Sequence, residues 1–319
     1  MENENRNAQK GMQLPNPHLA QMTDDNLYHF GISRTSHDLP ALFGDVKFVC
    51  IGGSARRMEN FAHYIGNELG VVSENERLPN LAGNSDRFVL YKAGPVLSAN
   101  HGIGVPSMSV ALHELLKMLY YAGSRDVTFI RIGTCGGIGK SFSHAMYGTC
   151  VSTGVPPGSV IVSNAAVNGK MEHAFETVVL AKGIHRPIIV DQELASEISS
   201  CSRTEDPFKI ILGKTYCTDD FYEGQARTHG AVCDISEEDE LQFVKHLNSQ
   251  GVKNIEMESA GFFALCHKAG VKCSVVCVTF IDRLSTEDVT ADADVLSEWT
   301  QRPQVLVARF IKKRLVISV

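Results

Sequence analysis

The stretch KFVCIGGSARRMENFAHYIGNEL, residues 47–69, reads as a buried strand, a glycine turn and a helix in direct succession. Its first residues form a short apolar run ending in Gly52-Gly53, the pattern of a covered strand entering a turn. Met58, Phe61, Ala62, Ile65 and Leu69 then recur at helical spacing. The alternation continues outward. RFVLYKAGPVLSANHGIG (87–104) predicts two strands around Gly94-Pro95. SMSVALHELLKMLYYA (107–122) predicts a helix with Ser107 as N-cap and an apolar stripe of Val110, Leu112, Leu115, Leu116 and Leu119. VTFIRIGTCGGIG (127–139) predicts a strand and then a glycine turn. Further strands are expected at 158–167, 208–217 and 273–281, and helices near 191–201, 237–250, 257–269 and 300–315. No linker interrupts the series, so the reading is a single α/β domain, its central sheet covered by helices. Two segments stand outside the rhythm. Residues 1–22 read as a loose arm, and KSFSHAMYGTCVSTG (140–154) is small, polar and non-periodic, a surface insertion or a lid.

Composition narrows the function classes. With 44% hydrophobic and 21% charged residues over 319, the chain is not a disordered one. Its formal charge of −6, from 30 Lys+Arg against 36 Asp+Glu, speaks against non-specific nucleic-acid binding. No apolar run approaches the roughly 18–20 residues of a membrane span. The polar start MENENRNAQKGMQ has no apolar signal core, so a cytoplasmic protein is expected. The nine cysteines are odd in number and none follows C-x-x-C spacing, so no zinc site or disulfide framework is expected. Cys135 and Cys217 lie nearest the motifs that follow.

Three glycine-rich segments follow strands: GGSARR (52–57), HGIG (101–104) and GTCGGIG (133–139). Glycine lets backbone amides approach an anion, although plain chain reversal explains such turns as well. None fits a dinucleotide or P-loop fingerprint. Arg57 follows the first, and Arg131 sits between Ile130 and Ile132 inside an apolar strand. A buried guanidinium needs a partner, either a structural carboxylate or a bound anion. DDFYEGQAR (219–227) places an aromatic, an amide and a guanidinium close together, which suits either a solvated loop or a reader of a planar ring bearing carbonyl and N–H groups. In NIEMESAGFFALC (254–266), Glu256 and Glu258 either cap a helix start or offer a carboxylate to vicinal sugar hydroxyls.

Taken in order, GDVKFVCIGGSARRM, SDRFVLYK, HGIGVPSMSVALHEL, IRIGTCGGIG, FYEGQAR, NIEMES and a C-terminal QRPQ resemble the vertebrate-type uridine phosphorylases of the nucleoside phosphorylase-I superfamily. The resemblance runs from about Leu27 to Leu315. It implies a three-layer α/β/α fold with a central mixed twisted sheet. It implies an arm over 1–26, a phosphorylase domain over 27–315 carrying the insertion, and a tail over 316–319. The implied reaction is reversible phosphorolysis of uridine to uracil and ribose 1-phosphate, with phosphate as co-substrate and neither cofactor nor metal. The implied phosphate ligands are Gly53, Arg57, Arg131 and Thr134, with Arg87 reaching the neighbouring subunit's phosphate. Met257 and Glu258 would hold ribose, and His29 would cross a homodimer interface to its 5′ end. Phe221 would pack on uracil while Gln225 and Arg227 hold it; Arg227, Gln225 and Arg131 would carry catalysis. Two departures stand out: Cys135 where such relatives have a small serine, and the insertion at 140–154. The first places a thiol beside the phosphate site and so an oxidation-sensitive point. The second keeps open a phosphorylase-like homodimer that acts by binding alone. A phosphorylase of other base specificity is disfavoured by the Gln225-x-Arg227 pair.

Overall fold

The computed structural model describes residues 12–73, 76–83, 85–139 and 154–317. Residues 1–11 of the expected arm, 140–153 of the expected insertion and 318–319 of the expected tail lie outside them. The chain divides into two compact units. One comprises residues up to Gly102 with Pro106–Ile130 and Leu265–Lys272; the other comprises Ile103–Val105, Arg131–Ala264 and Cys273 onward.

The first unit opens with a single 3-10 turn, Pro17–Gln21, capped by the Asn16 side chain, which accepts from His18 N. Leu19 is buried there, which gives this part of the arm a fixed place. The strands β1 (Asn26–Leu27) and β2 (Ile32–Ser33) pair antiparallel, and α1 (Leu39–Phe43) follows. Then come β3 (Phe48–Gly52), α2 (Ala55–Glu68), β4 (Leu90–Ala93), β5 (Val96–Asn100) and α3 (Gly104–Ala122). β3 runs parallel to β5, and β4 antiparallel to it. Every residue of β3 is buried, as a strand covered on both faces requires. Met58, Phe61, Ala62 and Ile65 form the buried face of α2; full burial of Phe61 or Ile65 contributes roughly 1.5–3 kcal/mol. α3 begins at Gly104, ahead of the expected cap, because Gly102 and Gly104 take φ of +73° and +79° and turn the chain early. Ser107 therefore lies inside the first turn, and its hydroxyl donates to His101 O at 2.6 Å.

β6 (Thr128–Gly137) starts in the first unit and continues into the second. The remaining elements are β7 (Val160–Val167), β8 (Ala174–Val179), β9 (Lys182–Pro187), α4 (Gln192–Ser199), β10 (Ile210–Cys217), α5 (Glu237–Ser249), β11 (Val252–Glu256), α6 (Ser259–Lys268), β12 (Lys272–Asp282) and α7 (Ala293–Ile317). The strand order of the second unit is β11-β10-β7-β12-β6. β7, β10 and β11 are mutually parallel, while β12 is antiparallel to β7. The α/β class with a mixed sheet is borne out.

Three local readings are corrected, and one hairpin was not foreseen. The glycines after Arg131 do not reverse the chain: β6 runs on through Gly137, where Gly136 and Gly137 pair antiparallel with Ile255 and Asn254. They are small because neighbours crowd them. A Cβ on Gly133 would lie 2.7 Å from Arg131 Nη1 and 3.0 Å from Cys277 Sγ, and one on Gly136 would lie 2.9 Å from Arg283 Cγ. We expect Gly133→Ala to cost about 1–3 kcal/mol by overpacking, read as a lower urea midpoint with unchanged slope. The β8–β9 hairpin escaped the pattern because neither strand has a buried face, which removes the period-two signal. β11 supplies the first residues of NIEMES as a strand, so the helix starts only at Ser259. α7 begins seven residues before position 300 and runs to Ile317, through the expected start of the tail. It keeps Pro303 inside, where burial of Leu306, Val307, Phe310 and Ile311 outweighs the lost backbone bond.

Candidate active site

In the second unit, the junction of β11 and α6 faces Arg131 of β6. Of the two kinds of partner open to this arginine, carboxylates are at hand. Its Nη1 lies 2.9 Å from Glu256 Oε2, and its Nη2 pairs with Glu258. The Arg131 side chain is only 4% exposed, so the pair is fully desolvated. Nη1 also donates to Cys277 Sγ at 3.2 Å. Burial works against the guanidinium charge, but Glu258 and Glu256 outweigh it and hold Arg131 firmly ionised. Glu256 caps α6: it accepts from Glu258 N at 3.0 Å and from Ser259 N at 3.0 Å, and Ser259 Oγ donates to it. Its carboxyl is raised from the usual range by burial, against the pull of Arg131. Glu258 accepts from Gly104 N at 2.7 Å through its other oxygen. Both glutamates face the arginine, and Glu256 also holds the helix start. Met257 between them is half-buried, as is Thr134 on β6.

The segment 219–227 lies in the same unit. Residues Glu223–Gln225 form a 3-10 turn closed by Ala226 at φ +52°, which turns Arg227 back against Phe221. The Arg227 guanidinium sits 4.4 Å above the Phe221 ring, and Nη1 donates to Glu287 O at 2.7 Å. Phe221 is 44% exposed, whereas Gln225 and Arg227 are buried. Burial first, and Arg283 next, lower Arg227 to about 10, so it keeps its charge at neutral pH.

The first unit holds the other predicted residues. Gly53 and Arg57 come together: Arg57 Nη2 would stand 3.7 Å from a Cβ on Gly53. That Cβ would also meet Gly102 O at 3.0 Å, so GGS and HGIG pack closely and position 53 must stay small. His29 pairs with Glu114, Nδ1 to Oε1, at 2.7 Å. Arg87 is exposed and lies 3.5 Å from Asp86.

Several partners went unpredicted. Arg283 is wholly buried; it donates to Ala226 O at 3.1 Å and lies 3.3 Å from Glu240, while its Nε and Nη1 have no partner among the described residues. The signal was present, since Arg283 directly follows an apolar strand just as Arg131 interrupts one. Glu240 is raised to about 7 by burial and then by its hydrogen bond with Glu287. Because that value lies above the unfolded 4.5, its stabilisation is complete below 4.5 and is lost as pH rises through about 7. Glu240→Gln is therefore expected to flatten the fall in urea stability between pH 5 and 8. Cys135 is buried and its thiol is pushed well up by burial, so little thiolate is available to oxidants. The eight described cysteines are all free thiols. Among the described residues, Glu172, Glu176 and His185 are grouped closely enough for metal ligation, but Lys170 already takes Glu176 at 2.7 Å. No described helix is long and apolar enough to cross a membrane.

A phosphorylase is the class that this sheet and these arginine–glutamate and glutamine–arginine elements define. The family model described as Phosphorylase superfamily matches residues 47–312, and the chain belongs to that superfamily. Within it, the chain is 46% identical over 312 residues to uridine phosphorylase 1 of Mus musculus, covering 98% of this chain and 96% of that protein. It is 37% identical to inactive uridine phosphorylase B of Schistosoma mansoni, covering 94% and 96%. The crystal structure of uridine phosphorylase from Schistosoma mansoni in complex with uracil matches with a TM-score of 0.84 at 37% identity, covering 93% of this chain and 98% of that one. The resemblance read from the motifs is borne out.

Proposed function

We propose that this chain is a pentosyltransferase that cleaves uridine with inorganic phosphate, giving uracil and ribose 1-phosphate. The observation that carries the reading is Arg227 stacked on Phe221 beside buried Gln225, in a chain similar over nearly its whole length to uridine phosphorylases. Phosphate is the nucleophile at the anomeric carbon, so no activated serine or cysteine is needed. Gly53, Arg57, Arg131 and Thr134 bind it, with Arg87 supplied by the second subunit of a homodimer. Met257 and Glu258 hold the ribose, and His29 of the second subunit reaches its 5′ end. Negative charge leaves on uracil, where Gln225 and Arg227 donate to the carbonyl oxygen and stabilise it more in the transition state than in the substrate. The catalytic domain spans 27–315, requires no cofactor, and works in the cytoplasm.

The Arg131–Glu258 pair adds a coupling. Bound phosphate takes a guanidinium edge from Glu258, and the released carboxylate oxygen accepts from sugar hydroxyls. Phosphate should therefore tighten nucleoside binding.

A second reading follows from the relative named inactive, which at 37% identity is as similar to this chain as uridine phosphorylase A of Schistosoma mansoni. It is a homodimer that binds nucleoside without cleaving it. Purified protein should be offered uridine, thymidine and inosine with phosphate, alongside calorimetry of each. Cleavage of uridine far faster than inosine supports the first reading. Uridine binding without cleavage supports the second.

A further inference from the structure

Glu114 takes no part in the chemistry proposed above, yet it is the anchor of His29. Standing on α3, it accepts from His29 N at 3.0 Å, from Phe30 N at 3.2 Å and from His29 Nδ1 at 2.7 Å. An ionised carboxylate can only accept, so the imidazole proton facing it must be on Nδ1. The opposite nitrogen of the neutral ring, Nε2, is then an acceptor. The ring has little freedom to turn away: Tyr28 stands edge-on at 5.2 Å and Phe88 lies at 6.2 Å. Ser85 Oγ donates to His29 O and accepts from Arg87 N at 3.1 Å, tying His29 to the segment that carries Arg87. The His29 side chain stays 37% exposed while that of Glu114 is 12% exposed, so the anchor is inside and the free edge of the ring is outside.

We infer that Glu114 is a positioning residue that holds His29 in the Nδ1–H tautomer, so that Nε2 accepts a hydrogen bond from the ribose 5′ hydroxyl. His29 then selects nucleosides that carry a donor at that position. A 5′-deoxy analogue leaves Nε2 without a partner, and a 5′-phosphate offers it only acceptors. The choice of ligand rests on the uridine reading above; the tautomer does not.

The test joins a spectrum to a selectivity. Long-range proton–nitrogen correlations of the uniformly 15N-labelled full chain, with the His29 signals assigned by their loss in His29→Asn, should show Nδ1 protonated. In Glu114→Met the ring should shift mainly to the Nε2–H form. One hydrogen bond of this kind corresponds to a preference of about fivefold for uridine over 5′-deoxyuridine. That preference should fall to within about twofold in His29→Asn. In Glu114→Met the Nε2–H ring can still donate to the hydroxyl, so there the preference to measure is for uridine over 5′-O-methyluridine, an acceptor-only analogue, and it should fall by about fivefold. Each preference is read as kcat/KM, or as Kd by calorimetry if wild type releases no uracil, so failure of the enzymatic reading leaves this test standing. Protonation on Nε2 in the wild type overturns the inference, and needs no Glu114 variant to fold. An unchanged preference in His29→Asn overturns it too.

Discussion

Replacing Arg131 with methionine is expected to destabilise the protein by about 3–5 kcal/mol, because it strands two buried carboxylates. Glu256 and Glu258 are nearly inaccessible and share this one guanidinium. The loss should depend on pH with a definite sign. Burial raises Glu256 above its unfolded 4.5, Arg131 opposes that shift and Glu258 adds to it. Removing Arg131 raises the carboxyl further. A carboxyl raised in the folded state contributes its full stability below its unfolded value and loses it as pH rises through the folded one. Urea unfolding should therefore show a smaller deficit at pH 5 than at pH 8. Adding Glu258→Gln to Arg131→Met should restore part of the loss, since the two sites share a contact. Phosphorolysis should be lost in both. An Arg131→Met protein as stable as wild type at pH 8 would contradict this account of the cluster.

The second large effect is expected at Arg227. Arg227→Ala should lower turnover of uridine by about 10²–10³-fold, as loss of one donor to a developing anion does elsewhere. The change should appear in kcat more than in KM, because the donor matters most when charge has moved onto uracil. Arg227→Lys should recover only a small part, since a point charge lacks the planar fork that stacks on Phe221. An equal rise in KM with kcat unchanged would mean that Arg227 only binds the base.

The sequence disclosed those parts of the fold whose burial is one-sided or complete. β3 and the buried face of α2 are legible because every apolar residue there points to a core. The β8–β9 hairpin has no such asymmetry and left no trace. The glycines of β6 misled for a physical reason: small residues mark close approach as well as chain reversal, and here Arg131, Cys277 and Arg283 are what approaches. In the site, single residues that break an apolar run were legible, as Arg131 shows. Their partners were not. Glu114, Cys277 and Glu240 sit at helix or strand positions where a polar or small residue is unremarkable, and only the fold brings them to His29, Arg131 and Arg283. Composition was equally silent, since an overall charge of −6 hides the few arginines that matter.

The most direct test of the central claim is the release of uracil from uridine by the purified full chain, with and without phosphate, with ribose 1-phosphate measured alongside. The account predicts release that requires phosphate and yields uracil and ribose 1-phosphate in equal amounts. Uracil released equally without phosphate, or no release in its presence, would contradict it.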